Sequence, residues 1–281
     1  MIGASTRLFA VLGDPVAHSL SPGIHNPAIE AAGVDAVYVA LRCGAAEVSG
    51  LMRGLAVGGG GGNVTLPHKE AAAAAVDEPS ELVVRTGACN TFWLEDGRLR
   101  GENTDVAGFR GAVSSLLGHT ARGLHVLLLG AGGAARAAIV GLTLDGAASV
   151  AISNRTESRA RQLAAELGDG RARVLPPEDG PGGLRFDLVV NSTALGLRSD
   201  DPLPFDPSTS APPGAVLDLV YRPGETALVR AARAHGIPAA DGAEMLVRQG
   251  AQAFECWWRR PAPLEAMRRA MEALRREGGA G

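Results

Sequence analysis

Two separate groups of residues in this 281-residue chain have types and spacings suited to chemistry. One is built for a dinucleotide. Gly130-Ala131-Gly132-Gly133-Ala134-Ala135 is a G-x-G-x-x-A turn placed between a short apolar run, residues 125–129, and an Ala-rich stretch reaching residue 144. In a strand-turn-helix unit the first glycine permits the tight turn and the second lets the backbone approach a pyrophosphate. The small Ala135 then lets helix and strand pack closely, and the helix N-terminus offers free N–H groups and a partial positive charge to phosphates. A second apolar run, residues 150–153, is followed not by a carboxylate but by Asn154-Arg155-Thr156, with Arg159 one turn on. An acid there would bond a ribose 2′-OH; two guanidiniums instead suit a 2′-phosphate through charge-assisted bonds. The pattern predicts NADP(H) as the cofactor, not NAD. Taken singly, Arg155 and Arg159 would read as solvated charges on a helix.

The other group lies in the first 105 residues, where polar side chains fall at strand ends and helix starts, the rim at which α/β proteins place ligands. Ser19 and Ser21 put two hydroxyls beside a helix N-terminus, an arrangement that binds a carboxylate, although a turn and an N-cap explain them equally simply. Asn63-Val64-Thr65-Leu66-Pro67-His68-Lys69 leads an amide, a hydroxyl and an ammonium into a helix. The helix dipole disfavours a cation at that end, so Lys69 is either a proton-transfer group or an ordinary surface lysine. Asn90-Thr91 opens a strand, and Gly101-Glu102-Asn103-Thr104-Asp105 closes the hairpin after it. Asp105 fits the common use of an acid in a first helical turn equally well.

The elements that must hold these residues alternate. Residues 8–12 read as a strand, 22–32 as a helix with Ser21 as N-cap and Pro22 at its first position, 36–41 as a strand and 45–57 as a helix. Five glycines, residues 58–62, feed the Asn63 segment. Residues 67–76 read as a helix, and 88–94 with 99–102 as a hairpin across the Asp96-Gly97 turn signal. A helix over 104–117 leads into the dinucleotide unit. Beyond it, 187–191 and 215–219 are strands and 225–235, 243–259 and 263–276 helices. The fold class predicted is α/β with two domains: an N-terminal α/β catalytic domain and an inserted Rossmann-type NADP domain, with a cleft between them. The last helices have no strand of their own to cover and are predicted to return to the first domain. The predicted boundaries are 1–105 with 241–281, and 106–240.

Bulk properties exclude several classes. A net charge of −3 gives no reason to expect a nucleic acid or a membrane surface as partner. Cys43, Cys89 and Cys256 are scattered in apolar settings, without metal spacing, and read as reduced packing residues, so no metal is expected. No apolar run reaches the length of a membrane span, and the N-terminus lacks a signal-peptide pattern, which makes a cytoplasmic location the expectation. A homodimer is compatible with the sequence, but no sustained heptad marks an interface.

Together the residues resemble the shikimate dehydrogenase family. The likeness spans nearly the whole chain and rests on HSLSP, NVTLPHK, GACNT, GENTD followed by Gly108, GAGGAAR, NRTESR and DGAEMLVRQGAQAF, in that order. It implies reduction of 3-dehydroshikimate to shikimate with NADPH, a step of the shikimate pathway of aromatic amino acid biosynthesis. It further implies Lys69 with Asp105 as the general acid/base pair, and Ser19 and Ser21 as the holders of the substrate carboxylate. Thr65, Asn90, Asp105 and Gln249 match its substrate hydroxyl ligands, and Tyr221 a tyrosine near the substrate. Gly130, Ala131, Gly132, Gly133 and Ala134, with Asn154, Arg155, Thr156 and Arg159, match its NADP contacts; Leu219 and Gly242 match positions by the nicotinamide, and Glu81 a cofactor-side position.

Two features depart from the family pattern. The glycine run replaces bulkier residues and predicts a looser strand before Asn63, and Cys89 stands between Ala88 and Asn90. The alternatives are a quinate or amino-shikimate dehydrogenase of the same fold, and a non-catalytic NADP- or shikimate-binding regulator. Intact Ser19 and Ser21 and the Arg155 tip argue against the first, and the joint presence of Lys69 and Asp105 against the second.

Overall fold

A computed structural model describes residues 2–176, 184–208 and 211–277. The chain divides into two compact units, Met1–Gly108 with Leu246–Leu274, and Phe109–Met245 with Arg275–Gly281. The division falls inside three helices, after residues 108, 245 and 274, where the sequence boundaries fall after 105 and 240 only.

The first unit is a six-stranded mixed sheet with helices. Its elements in order are β1 (Arg7–Gly13), α1 (Ser21–Ala31), β2 (Ala36–Arg42), α2 (Val48–Val57), β3 (Gly61–Val64), α3 (Lys69–Ala75), β4 (Glu78–Pro79), α4 (Glu81–Thr86), β5 (Thr91–Glu95), β6 (Arg98–Glu102) and the start of α5 (Thr104–Leu117). Most of α9 (Ala243–Trp258) and α10 (Leu264–Glu277) complete it. The strand order is β2-β1-β3-β5-β6-β4. β1 lies parallel to β2 and β3, while β5 is antiparallel to both β3 and β6. The β5–β6 hairpin turns on Asp96 and Gly97, both at positive φ, as the Asp-Gly signal requires. Leu12, Met52, Phe92 and Leu99 are wholly buried on one side of the sheet, and Phe9, Val11, Ile29 and Tyr38 form a second cluster with Trp257 and Trp258.

In the second unit β7 (His125–Leu129), α6 (Gly133–Asp145), β8 (Ser149–Ser153), α7 (Glu157–Leu167), β9 (Ala172–Val174), β10 (Leu188–Asn191), β11 (Ala215–Asp218), α8 (Ala227–Ala234) and β12 (Ala239–Ala240) follow one another. All six strands are parallel, in the order β12-β11-β10-β7-β8-β9. The order reverses between β7 and β10, which makes the crevice beyond their carboxyl ends the place for a ligand. β7, β10 and β11 are apolar along nearly their whole length, as strands buried on both faces must be.

Three expectations change. Ser21 is not the N-cap of α1 but its first residue, because Leu20 already has helical angles (φ −82°, ψ −4°). The capping contact comes instead from Ser19, whose Oγ accepts the Ser21 N–H at 3.3 Å. α3 begins at Lys69, two residues after Pro67, since Thr65 and His68 first close a turn (His68 N–H to Thr65 O, 2.9 Å). The glycine run is not a loose segment. Gly61 and Gly62 belong to β3, and Gly60, Gly61 and Gly62 are all buried. A Cβ on Gly60 would stand 1.8 Å from Leu8 O, and one on Gly62 2.1 Å from Ala10 O. These positions are glycine because the neighbouring backbone occupies the side-chain space.

Gly62→Ala therefore overpacks the sheet by about 1–3 kcal/mol or more, expected to lower Tm by at least about 4 °C in a thermal melt. Gly50→Ala is the control, as its Cβ would meet nothing within 4 Å on α2. That variant is expected to melt at or slightly above the parent temperature. Equal melting of Gly62→Ala and parent would contradict the packing argument.

Candidate functional site

In the first unit the polar residues converge on Asn90, which sits between α4 and β5 and is 3% exposed. Its backbone is pinned from three sides. Asn90 N–H donates to Glu102 O at 3.1 Å, and its carbonyl accepts from Val64 N–H at 2.9 Å and from Asn63 Nδ2 at 3.0 Å. The side chain then organises the start of α5. Asn90 Oδ1 accepts the Thr104 N–H at 2.7 Å, so it satisfies one of the free donors of that helix end. Asn90 Nδ2 donates to Asp105 Oδ1 at 2.9 Å.

Asp105, in the first turn of α5, uses its other oxygen to accept from Lys69 Nζ at 2.5 Å. Lys69 is the first residue of α3, and its own carbonyl accepts the Cys89 N–H at 2.9 Å, which ties this helix start to the residue before Asn90. His68, one residue earlier, lies with Nε2 2.8 Å from Cys43 O; a carbonyl only accepts, so this nitrogen carries the proton. The Lys69 and Asp105 side chains are 19% and 11% exposed. Screening is much weaker there than on an open surface, and the pair keeps one ammonium edge available to a ligand. Gln249 of α9 comes to the same cluster, with Oε1 3.4 Å from Thr104 Oγ1. Four of the predicted residues, Lys69, Asp105, Asn90 and Gln249, are thus brought together.

Ser19 and Ser21 stand at the N-terminus of α1, Ser21 buried and Ser19 half-buried. Thr65 directly follows β3, its N–H donating to Leu12 O at 2.8 Å. Its methyl fills the space a Cβ on Gly13 would take, at 2.4 Å. Glu81 is the exposed first residue of α4, where its neighbour Ser80 accepts the Val83 N–H as N-cap.

In the second unit a cavity of about 890 Å³ opens at the carboxyl ends of β7, β8 and β10. Gly130, Ala131, Gly132, Asn154, Arg155, Thr156 and Arg159 line it, as the sequence predicts; Gly133 and Ala134 begin α6 just behind. Gly130 turns at φ +106°, and a Cβ there would press on Ser192 Oγ at 2.7 Å. A Cβ on Gly132 would meet no protein atom within 4 Å. The protein's own packing does not ask for glycine there, whereas close approach of a phosphate does. Among the described residues neither Arg155 nor Arg159 has an ion-pair partner, and the nearby acid Glu157 is taken by Arg161 at 2.5 Å. Two uncommitted guanidiniums beside a helix N-terminus fit the 2′-phosphate and pyrophosphate of NADP(H).

The cavity also holds residues that sequence reasoning missed: Ser192, Thr193, Ala194, Leu195 and Pro204. Fully buried Asn191, at the tip of β10, shapes this loop. Its Oδ1 accepts from Thr193 N–H (3.1 Å) and Thr193 Oγ1 (2.7 Å), and its Nδ2 donates to Leu195 O (3.0 Å) and Asp218 Oδ1 (2.8 Å). Asp218 in turn accepts the Val220 N–H at 3.1 Å, joining the loops after β10 and β11. Burial pushes its carboxyl above the usual range. The signal was available, since Ser192-Thr193 follows β10 just as Gly130 follows β7. Leu219 and Gly242 lie together, Gly242 N–H donating to Val220 O at 3.1 Å and leaving no room for a Cβ, which would stand 2.2 Å from Leu219 O. Tyr221 is half-buried in this unit, and burial raises its phenol.

Comparison with known proteins gives the same pattern. Residues 11–92 match the family model of the shikimate dehydrogenase substrate binding domain, 113–196 that of shikimate / quinate 5-dehydrogenase, and 242–272 that of the shikimate 5'-dehydrogenase C-terminal domain. A shikimate dehydrogenase (NADP(+)) of Rubrobacter xylanophilus is 44% identical over 278 residues, covering 96% of this chain and 97% of its own. The crystal structure of shikimate dehydrogenase from Aquifex aeolicus superposes with a TM-score of 0.87 at 34% identity, over 96% of this chain and 99% of that one. That of shikimate 5-dehydrogenase from Thermus thermophilus, in complex with NADP(H) and shikimate, does so with a TM-score of 0.82 at 38% identity, over 95% and 99%.

Removing one guanidinium tests the cavity. Charge-assisted hydrogen bonds contribute about 1.5–3 kcal/mol, so Arg155→Ala is expected to raise the Kd for NADP⁺ by about tenfold or more. The Kd for NAD⁺, read in the same fluorescence titration, is expected to move by less than about threefold. Equal changes for the two dinucleotides would contradict a phosphate clamp.

Proposed function

The chain belongs to the shikimate dehydrogenase family, and from that premise we propose that Lys69 and Asp105 are its proton-transferring pair. It is an NADP-dependent oxidoreductase acting on an alcohol and its ketone, interconverting shikimate and 3-dehydroshikimate in the shikimate pathway of aromatic amino acid biosynthesis. The observation that carries the role assignment is the 2.5 Å contact of Lys69 Nζ with Asp105 Oδ2, itself held by Asn90.

When bound, NADPH supplies the hydride. The chain's residues do the rest. Ser19 and Ser21, at a helix N-terminus, take the substrate carboxylate. Thr65, Asn90, Gln249 and Asp105 hold the ring hydroxyls and turn binding into orientation. Lys69 gives its proton to the oxygen of the ketone as that oxygen becomes a hydroxyl, and takes one back in the opposite direction. Asp105 keeps the ammonium pointed at that oxygen and compensates its charge while solvent is excluded. The family likeness assigns Tyr221 to the substrate as well. Gly130, Ala131, Gly132, Gly133 and Ala134 with Asn154, Arg155, Thr156 and Arg159 hold the dinucleotide phosphates; the family likeness assigns Leu219, Gly242 and Glu81 to the cofactor too. Residues 1–105 with 241–281 form the substrate domain in this reading, and 106–240 the cofactor domain.

Among the described residues no helix is long and apolar enough to cross a membrane, and no group of three or more potential ligands could hold a metal ion. The reading places the enzyme in the cytoplasm and is compatible with a homodimer, although the chemistry asks nothing of a second copy.

The test is spectrophotometric. The parent is expected to reduce NADP⁺ with shikimate, faster than with quinate or with NAD⁺. Lys69→Ala is expected to lower kcat by about 10²–10⁴, the size of a general acid/base contribution. A kcat within a few-fold of the parent would remove Lys69 from the role.

A further inference from the structure

We propose that Tyr38 is a positioning residue for proton transfer, holding Asp105 and Lys69 in place through the buried amides of Asn63 and Asn90. The inference rests on the reading of Lys69 and Asp105 as the acid/base pair and extends it to a residue that reaches neither of them.

Tyr38 lies on β2, an edge strand, yet is only 1% exposed. Three neighbours fix it. Asn26 of α1 clamps its backbone, Oδ1 accepting the Tyr38 N–H at 2.9 Å and Nδ2 donating to the Tyr38 carbonyl at 2.8 Å. The His25 ring stacks on the phenol, 4.4 Å between centroids and 14° between planes, and Trp257 closes a third side at 6.0 Å. His25 is fully buried and held neutral, its pKa lowered to about 3 by burial. The hydroxyl therefore has little freedom to choose a partner, and a buried phenol needs one.

It donates to Asn63 Oδ1, at 2.6 Å, and accepts from Ser21. The direction of the Asn63 bond follows from the acceptors beyond it. Asn63 Nδ2 faces Asn90 O at 3.0 Å and Thr91 Oγ1 at 2.9 Å. Asn90 O can only accept, so the Asn63 amide must present its NH₂ there and its oxygen to Tyr38, which must donate. Burial drives the Tyr38 phenol well above its usual range, with a hydrogen bond from Ser21 acting the other way, so it stays a donor throughout the working pH of an enzyme. From Asn63 the chain runs on through Asn90 Nδ2 to Asp105 Oδ1 at 2.9 Å, and from Asp105 Oδ2 to the Lys69 ammonium at 2.5 Å. Each member is 8% exposed or less up to Asp105. Without the Tyr38 hydroxyl, Asn63 Oδ1 is left buried with no donor. Its amide is then free to turn, and Asn90 loses one of the two donors that hold its carbonyl.

Tyr38→Phe keeps the ring and its stacking and deletes only the hydroxyl. Parent, Tyr38→Phe, Asp105→Asn and the double variant are compared in the NADP⁺/shikimate assay, with melting temperatures alongside. Tyr38→Phe is expected to lower kcat by about tenfold; because the hydroxyl also bonds Ser21, KM for shikimate moves as well, and the cycle in kcat carries the test. In the Asp105→Asn background the same change is expected to lower kcat by less than about twofold, because its route to Lys69 is already cut. A kcat within about twofold of the parent, or an equal loss in both backgrounds, overturns the inference. Should Tyr38→Phe fail to fold, Asn63→Ser goes through the same cycle and is judged by the same outcomes. A parent inactive with shikimate overturns the acid/base reading, and this inference with it. An active parent with an unaffected variant overturns the inference alone.

Discussion

An ammonium and a carboxylate that have given up most of their water hold each other only where the surrounding dipoles keep them in register. Lys69 and Asp105 come from the first turns of two different helices, α3 and α5, 36 residues apart in sequence. A cation at the start of α3 is opposed by that helix's dipole, and an anion at the start of α5 is favoured. Placing the two side chains together offsets the first with the second. Asn90 makes the arrangement specific. Its side-chain amide caps α5 and holds the free oxygen of Asp105, while its backbone is held by β3 and β6. The ends of β3 and β6 thus meet at this one residue. Gly60, Gly61 and Gly62 contribute by letting β3 lie against β1 and β5 with no side chain between backbones.

The second unit meets the complementary demand, an anion with several charges, by leaving donors free. A left-handed glycine turns the chain after β7, Gly132 leaves the approach to the α6 N-terminus clear, and among the described residues Arg155 and Arg159 have no ion-pair partner. The neighbouring loops owe their shape to buried bonds instead. Asn191 and Asp218 cross-link the turns after β10 and β11, so the cavity wall is set by protein contacts alone.

Much of this was legible in the residues. Elements with strong periodicity or a clear turn signal were predicted close to their observed bounds, among them β7, α5 and the β5–β6 hairpin. The lining glycines and arginines were legible as well, whereas the grouping of Lys69, Asp105, Asn90 and Gln249 came from the family resemblance and not from their spacing. What escaped had physical reasons. β4, α4, β9 and β12 are two to six residues long, too short for any periodicity to show. Ser21 has the composition of an N-cap, but helical angles at Leu20 start the turn one residue earlier, a tertiary choice that no local preference encodes. The glycine run reads as weakness by propensity, and only the closeness of Leu8 and Ala10 backbone oxygens reveals it as fit. Tyr38 and Asn63 escaped for another reason. Their roles lie in which end of an amide faces which acceptor, and that is decided by residues far from them along the chain.

The most direct test of the account is the coupling between Lys69 and Asp105 in the folded protein. Urea unfolding of the parent, Lys69→Met, Asp105→Asn and the double variant gives it as a double-mutant cycle. Residues that hold each other in one hydrogen-bonded network are expected to show an interaction of about 1–3 kcal/mol, each single change costing more than its share of the double. Additivity within about 0.3–0.5 kcal/mol would mean that the two charges sit side by side without depending on one another, and the centre of the account would be gone.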